Sequence, residues 1–317
     1  MAKSKAMKAL AASTYRSLDG LAFTELPDPV PGPGELLVRV EATSLNPVDV
    51  KMLRGDLRSL FETPFPYVPG ADLAGRVVAV GAGVKGYAIG DRVGGLFHAG
   101  LAELARASAA SPLIARVPEA LTSTVAAAAP VVGLAALGAM ESAGDIRGRK
   151  IAVIGATGAV GSLVVQLAHA AGATVIATAK PPDATYVRGF GASETIDYGS
   201  QPAIDEIKRR YPEGVDVIVD LVSVGPALTA TGSAVRPGGV LVSTLFGADE
   251  AALAGRIALR YVRMDEGGSA SLEQLYGMLA GGDLRLDIGA TYPFDRSAEA
   301  LEALVAGGVR GKIVVTF

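Results

Sequence analysis

Hydrophobic and polar positions follow two rhythms along this chain. From Met7 to about Leu121 the apolar positions come in short runs, ELLVRVEAT, GRVVAVGAGV and GDRVGGLF, each closed by glycine, proline or a turn dipeptide such as Gly90-Asp91. Runs of this length with turn punctuation predict strands. The segment PDPVPGPGE predicts a stiff connector before the first long strand. Together they predict a compact, partly closed β domain. Near Ser123 the rhythm changes. VAAAAPVVGLAALGAM reads as two small-residue helices broken at Pro130, because proline has no N–H to donate. Apolar strands then alternate with helices: KIAVIG, a helix from Ala159 to Ala171, TVIATA, a helix around Thr185 to Phe190, and ETIDY. The charged helix PAIDEIKRRY, the strand VDVIVDLV, a further helix and the strand GGVLVSTL follow. Apolar strands interleaved with helices imply a parallel sheet covered on both faces. After the helix SLEQLYGMLAGG the tail returns to β character in DLRLDIGATYPF and GKIVVTF, strands expected to rejoin the first domain. The predicted class is α/β. A β domain takes residues 1–122 and 284–317, and a doubly wound parallel sheet takes 123–283, inserted before the C-terminal strands.

Composition narrows the function classes. With 317 residues, half of them hydrophobic and 19% charged, the chain can bury two cores. A formal net charge of −3 offers no basic surface, so no nucleic-acid partner is expected. The absence of cysteine removes disulfides, thiolate nucleophiles and cysteine zinc sites. The two histidines, His98 and His169, lack ligand spacing, and no metal is expected. Lys8 interrupts the apolar run of MAKSKAMKALAAS before a signal-like core forms. The uncharged run from Ile151 to Ala179 is long enough to span a bilayer, but its glycines, Gln166 and His169 fit a buried strand–helix–strand better. The expectation is a cytoplasmic protein with no membrane partner.

Candidate chemistry begins at GATGAVG, residues 155–161, between a predicted strand and a predicted helix. This placement marks a phosphate cradle. Gly158 lets a diphosphate approach the N–H groups at the helix start, and Gly161 lets helix and strand pack closely. Ala156 occupies the position of the usual first glycine, and Gly155 can start the turn instead. Ala156, Thr157, Gly158, Ala159, Val160 and Gly161 are therefore expected to hold the nucleotide. The second strand ends at Ala179-Lys180, where an NAD site would carry an acid. A lysine pairs with a 2′-phosphate, so the expected cofactor is NADPH. Tyr198 can close the same pocket, while Arg188 reads as a solvated side chain.

GATGAVG, the preceding β domain, Ser44 to Asp49 (SLNPVD), Gly70 to Val77 (GADLAGRV), Gly90 to Val93, Arg236-Pro237-Gly238-Gly239 and Gly311 to Val315 together resemble the medium-chain dehydrogenase/reductase superfamily. Within it the chain is similar to the zinc-free quinone oxidoreductase branch that includes zeta-crystallin-like proteins. The resemblance covers nearly the whole chain. It implies a GroES-like β domain plus a Rossmann domain, NADPH, a homodimer, and cofactor and substrate bound in the interdomain cleft. It implies that Asn46 faces the nicotinamide and the substrate carbonyl, and that Leu221, Val222, Leu245, Phe246 and Gly247 wall the cofactor. It also implies that Lys312 is a basic residue near the site. Relatives often carry threonine in the run occupied here by Val132 to Ala136, which leaves Val132 as an apolar cofactor contact, and some place a tyrosine where Lys51 stands. The segment Gly94 to Glu103 is short, implying a more open cleft.

Without a metal nothing polarises an alcohol for oxidation. None of the nine tyrosines has a lysine four positions later, and no GxSxG nucleophile motif occurs. Hydride transfer to an already electrophilic acceptor remains, a quinone or an α,β-unsaturated carbonyl. Asn46 is the expected donor to the acceptor oxygen, with solvent or Lys51 delivering the proton. Asp49 is expected to cap a helix beginning at Val50. His98 is expected in solvent, and His169 and Tyr67 are expected to be structural. The alternatives are a narrow enoyl or alkenal reductase and a non-catalytic NADPH-binding redox sensor. A homodimer contact is expected along the sheet edge near GRIALRYVRM.

Overall fold

A computed structural model of the chain describes residues 6–60, 62–97, 99–262 and 268–317, with the side chains of 268–271 left aside. His98 lies outside the described residues. The described chain forms two compact units, Met1–Val131 with Gly268–Phe317, and Val132–Gly267.

The first unit begins with strands β1 (Ala6–Ala12) and β2 (Leu21–Pro27), an antiparallel pair. Then come β3 (Glu35–Leu45), helix α1 (Pro47–Arg54), β4 (Asp72–Val80), β5 (Arg92–Leu96), β6 (Leu104–Ser108) and β7 (Ile114–Arg116). Helix α2 (Ser123–Ala143) runs across the boundary between the units.

The second unit holds β8 (Lys150–Ile154), α3 (Ala159–Ala170), β9 (Thr174–Thr178), α4 (Ala184–Gly189), β10 (Glu194–Ile196) and α5 (Ala203–Arg210). It continues with β11 (Val215–Asp220), α6 (Gly225–Thr231), β12 (Val235–Ser243), α7 (Glu250–Leu253) and β13 (Ala258–Tyr261). The chain then returns to the first unit with α8 (Gly268–Gly281), β14 (Ile288–Pro293), α9 (Ser297–Ala306) and β15 (Lys312–Thr316).

In the first unit the strand order is β14-β15-β3-β4-β5-β7, with β6 also pairing β3. β4 lies along one side of β3, while β6 takes the N-terminal half of the other side and β15 the C-terminal half. The closing strands therefore rejoin the first β unit, as the tail's pattern predicts. One apolar core gathers Leu36, Val38, Val40, Leu73, Val77 and Val93. A second joins Leu10, Leu45, Leu101, Leu301 and Val315. In the second unit all six strands are parallel, in the order β10-β9-β8-β11-β12-β13. This is the Rossmann arrangement, whose order reverses between β8 and β11.

Two expectations change. The proline-broken helix pair is one helix, with Pro130 inside α2. Proline leaves the carbonyl four residues back without its usual donor, and the Tyr276 hydroxyl donates to that Ala126 oxygen at 3.0 Å. The Val131 N–H, just past the proline, donates to an Asp72 carboxylate oxygen at 2.9 Å. With both backbone groups satisfied, the helix continues through the proline. The same Tyr276 contact and the packing of α8 on β7 join α8 to the first unit, so the compact units divide near 131 and 268 rather than near 122 and 284. The tail also carries helix α9, which buries Ala300 and Leu301 in the stretch between the two expected tail strands.

The uncharged run from Ile151 is β8, α3 and β9, as read from its changing period. Among the described residues one helix, Ser123–Ala143, is long and apolar enough to cross a membrane by length and composition. It is mostly buried inside the protein, with Ala126, Ala127, Ala128 and Ala129 fully covered.

Candidate active site

In the second unit the turn after β8 carries the glycine loop. Gly155 has φ +85°, the left-handed region that favours glycine, so the tight turn starts there. That frees the next position for Ala156, whose methyl is fully buried. A Cβ on Gly161 would lie 2.1 Å from the Gly155 carbonyl oxygen and 2.7 Å from the Ala156 Cα, so only glycine lets α3 approach the turn this closely. Gly158 is exposed and caps α3 without a side-chain hydrogen bond. The first N–H groups of a helix have no intrahelical partner, so those of Ala159, Val160 and Gly161 are available to an anion beside Thr157.

The other expected cofactor residues of this unit lie where parallel strands end. Ala179 is buried at the end of β9, and the exposed Lys180 follows it. The Lys180 ammonium lies 5.7 Å from the centroid of the Tyr198 ring, so these two residues do meet. Arg188 instead donates to the Thr195 hydroxyl at 3.0 Å. Leu221 and Val222 follow β11, and Leu245, Phe246 and Gly247 follow β12. Val222 is 60% exposed and Phe246 62%, an apolar rim at the strand ends where open α/β sheets bind ligands. The loop after β11 is held by buried Asp220, which accepts the N–H groups of Val222 and Ser223 at 3.0 and 2.8 Å and the Thr231 hydroxyl at 2.8 Å. Val132 is buried within α2. His169 is exposed on α3, but a Cβ on Gly191 would strike its ring, so the imidazole packs on that glycine.

The first unit assembles a buried polar cluster. Ser44 pairs with Asp72 across β3 and β4, and Leu45 pairs with Ile313 across β3 and β15. These registers bring the residue after β3 (Asn46), the first residue of β4 (Asp72) and the first of β15 (Lys312) to one place. The Asn46 Nδ2 donates to Asp72 Oδ2 at 2.9 Å, and Asn46 Oδ1 accepts from Lys312 Nζ at 2.5 Å. The ammonium also donates to the Leu45 carbonyl at 3.1 Å and lies 3.5 Å from Asp72 Oδ2. Asp72 further accepts the Ser44 hydroxyl at 3.0 Å and the Val131 N–H already described. Asp72 is fully buried, and Asn46 and Lys312 are 3% and 4% exposed. Burial pushes the Asp72 carboxyl up and the Lys312 ammonium down, and each is drawn back toward its charged form by the other.

One sequence expectation is corrected here. Helix α1 begins at Pro47 with Asn46 as its N-cap, so Asp49 is the third helical residue and not the cap. Its carboxylate accepts the Asn46 N–H at 2.7 Å and the Gly70 N–H at 2.9 Å, which closes a capping box and ties α1 to the β4 approach. Lys312, expected at the cofactor, directs its ammonium to Leu45, Asn46 and Asp72 inside the first unit. Lys51 is exposed on α1, and Tyr67 donates to the Asp49 carbonyl at 3.3 Å. Asp72, the centre of the cluster, is the residue that sequence reasoning passed over. Its signal was available: an acid opening a strand and followed by apolar Leu73 and Ala74 must find partners when buried.

The Asp49 carboxyl is pushed up to about 6 from 3.8, chiefly by burial, against the Asn46 and Gly70 N–H groups that lower it. Since the folded value exceeds the unfolded one, the group's contribution to stability is full below the unfolded value and is lost as pH rises through the folded one. About 3 kcal/mol is at stake. Asp49→Asn is therefore expected to flatten the fall in urea-unfolding free energy between about pH 4 and pH 7. Parallel pH profiles for variant and parent would contradict this.

Two family models match the chain. Residues 32–112 match the alcohol dehydrogenase GroES-like domain, and residues 190–315 match a family described as zinc-binding dehydrogenase. The donor set does not fit zinc: there is no cysteine, and among the described residues no group of three or more His, Asp or Glu could hold a metal ion. A chloroplast envelope quinone oxidoreductase homolog of Arabidopsis thaliana is 31% identical, covering 98% of each chain. An NADPH-dependent alkenal/one oxidoreductase of the same plant is 31% identical over 98% of this chain and 80% of its own. A mycobacterial protein solved in complex with NADPH superposes with a TM-score of 0.85 at 27% identity, covering 98% of this chain and all of that one. The chain thus belongs to the medium-chain dehydrogenase/reductase superfamily, as an enzyme of its quinone oxidoreductase branch.

Proposed function

We infer that this enzyme is an NADPH-dependent reductase that delivers hydride to a quinone or an α,β-unsaturated carbonyl without a metal. The observation that carries the reading is the convergence at the strand ends of the second unit. A glycine turn exposes uncapped helix N–H groups, and a lysine stands at the end of β9 where an acid would mark NAD. The NADPH complex of the mycobacterial protein and the alkenal/one activity named for the plant relative support it.

A bound reduced nicotinamide supplies the hydride. The N–H groups of Ala159, Val160 and Gly161, with Thr157 and Gly158 beside them, bind the diphosphate, where the helix start favours negative charge. Lys180 pairs with the 2′-phosphate and Tyr198 backs the ammonium. Ala179, Leu221, Val222, Leu245, Phe246 and Gly247 supply the walls that keep water from the reacting carbon. Reduction leaves negative charge on the acceptor oxygen. Asn46 has one amide hydrogen beyond the one given to Asp72, and that hydrogen stabilises the charge. Solvent or the exposed Lys51 then returns the proton.

The test is NADPH consumption in separate assays with phenanthrenequinone and with a simple enone. Turnover on the order of 1 s⁻¹ or faster with at least one acceptor is expected, and the ratio of the two rates identifies the preferred class. Tight NADPH binding with oxidation by neither would remove the reductase reading.

A further inference from the structure

We propose that Asp72 and Lys312 act together as positioning residues that lock the Asn46 carboxamide in one orientation, with its oxygen held inward and one N–H left for the acceptor. This rests on the reading of Asn46 as the hydrogen-bond donor above. A free carboxamide can turn over, exchanging its oxygen and nitrogen with little cost in shape. Here the two ends are told apart by charge. The oxygen faces an ammonium at 2.5 Å, and the nitrogen faces a carboxylate at 2.9 Å. Turning the amide over would set N–H against ammonium and oxygen against carboxylate, two repulsive contacts at a buried site where charge is poorly screened. The clamp is itself braced. Lys312 is fixed by the Leu45 carbonyl and Asp72, and Asp72 by Ser44 and the Val131 N–H of α2. The ammonium donates to Asn46 and to the Leu45 carbonyl and lies 3.5 Å from Asp72 Oδ2, so its near partners all belong to the cluster. Asn46 is the sole asparagine among the 317 residues.

That single occurrence makes the test direct. Protein labelled with ¹⁵N-asparagine gives one side-chain amide pair in an NMR spectrum of the ligand-free enzyme. The clamp predicts two widely separated proton resonances, one moved downfield by the carboxylate, and slow exchange with water. A pair at the positions of a free, exposed amide would overturn the proposal without any variant. In Lys312→Met, and in the charge-neutral pair Asp72→Leu with Lys312→Met, the two resonances should converge and exchange faster. Turnover with phenanthrenequinone should fall on the order of 10²-fold, with the Kd for NADPH within about twofold of the parent. A rise in that Kd of tenfold or more with kcat kept would show that Lys312 serves the cofactor, and would also overturn the proposal. If the parent shows the clamped resonances but oxidises NADPH with neither acceptor, the reductase reading fails while the amide lock stands.

Discussion

Gly161→Ala is expected to destabilise the second unit by about 3 kcal/mol and to lower Tm by roughly 5–10 °C. The added methyl has no room, since its carbon would lie 2.1 Å from the Gly155 carbonyl oxygen and the obstacle is backbone. Either α3 withdraws from the turn or the turn opens, and both displace the N–H groups offered to the diphosphate. NADPH affinity should fall with stability. Gly158→Ala separates the two effects. A Cβ there would meet nothing closer than the same oxygen at 3.4 Å, an ordinary contact. The fold and Tm of the free protein should therefore be kept. NADPH binding should nevertheless weaken by about tenfold or more, because the methyl stands where the diphosphate approaches the helix. A Gly158→Ala protein that binds NADPH as the parent does would place the phosphates elsewhere.

Lys180→Asp is expected to weaken NADPH binding by about 10²-fold or more and NADH binding severalfold at most. The substitution removes a charge-assisted contact to the 2′-phosphate and sets a carboxylate against it. With NADH the same carboxylate can accept a ribose hydroxyl. Lys180 is exposed and lies over Tyr198, with no buried partner to leave unpaired, so Tm should barely change. Equal losses for the two nucleotides would defeat the assignment of Lys180. Raised salt should likewise weaken NADPH more than NADH, because an exposed ion pair is screened.

How much of this was legible in the sequence depends on how far apart the interacting residues stand. The parallel sheet reads largely from the chain, since the central strands β8, β9, β11 and β12 are rich in Val, Ile, Leu and Ala and each is followed by its helix. The glycine loop is equally local: Gly155, Ala156, Gly158 and Gly161 lie within one turn, and their spacing carries their packing. The continuity of α2 is not local. Whether Pro130 ends the helix depends on Tyr276, 150 positions beyond Ala126, and on Asp72, 59 positions before Val131. The Asn46 cluster is less local still, as Lys312 is 266 positions away and arrives only through the register of β15 on β3. Family resemblance could point to Asn46 and Lys312 singly. It could not reveal that they bond each other, or that Asp72 stands between them. Helix α9 went unread for a simpler reason: the strand signals on either side were read and the stretch between them was not.

The central claim is that a reduced dinucleotide bearing a 2′-phosphate binds at the glycine loop and Lys180. Calorimetric titration of the parent protein with NADPH and with NADH, in matched buffer, tests it most directly. A Kd for NADPH at least tenfold below that for NADH, with a Tm that rises as NADPH is added, is the predicted result. Equal affinities, or no heat from either nucleotide, would contradict it.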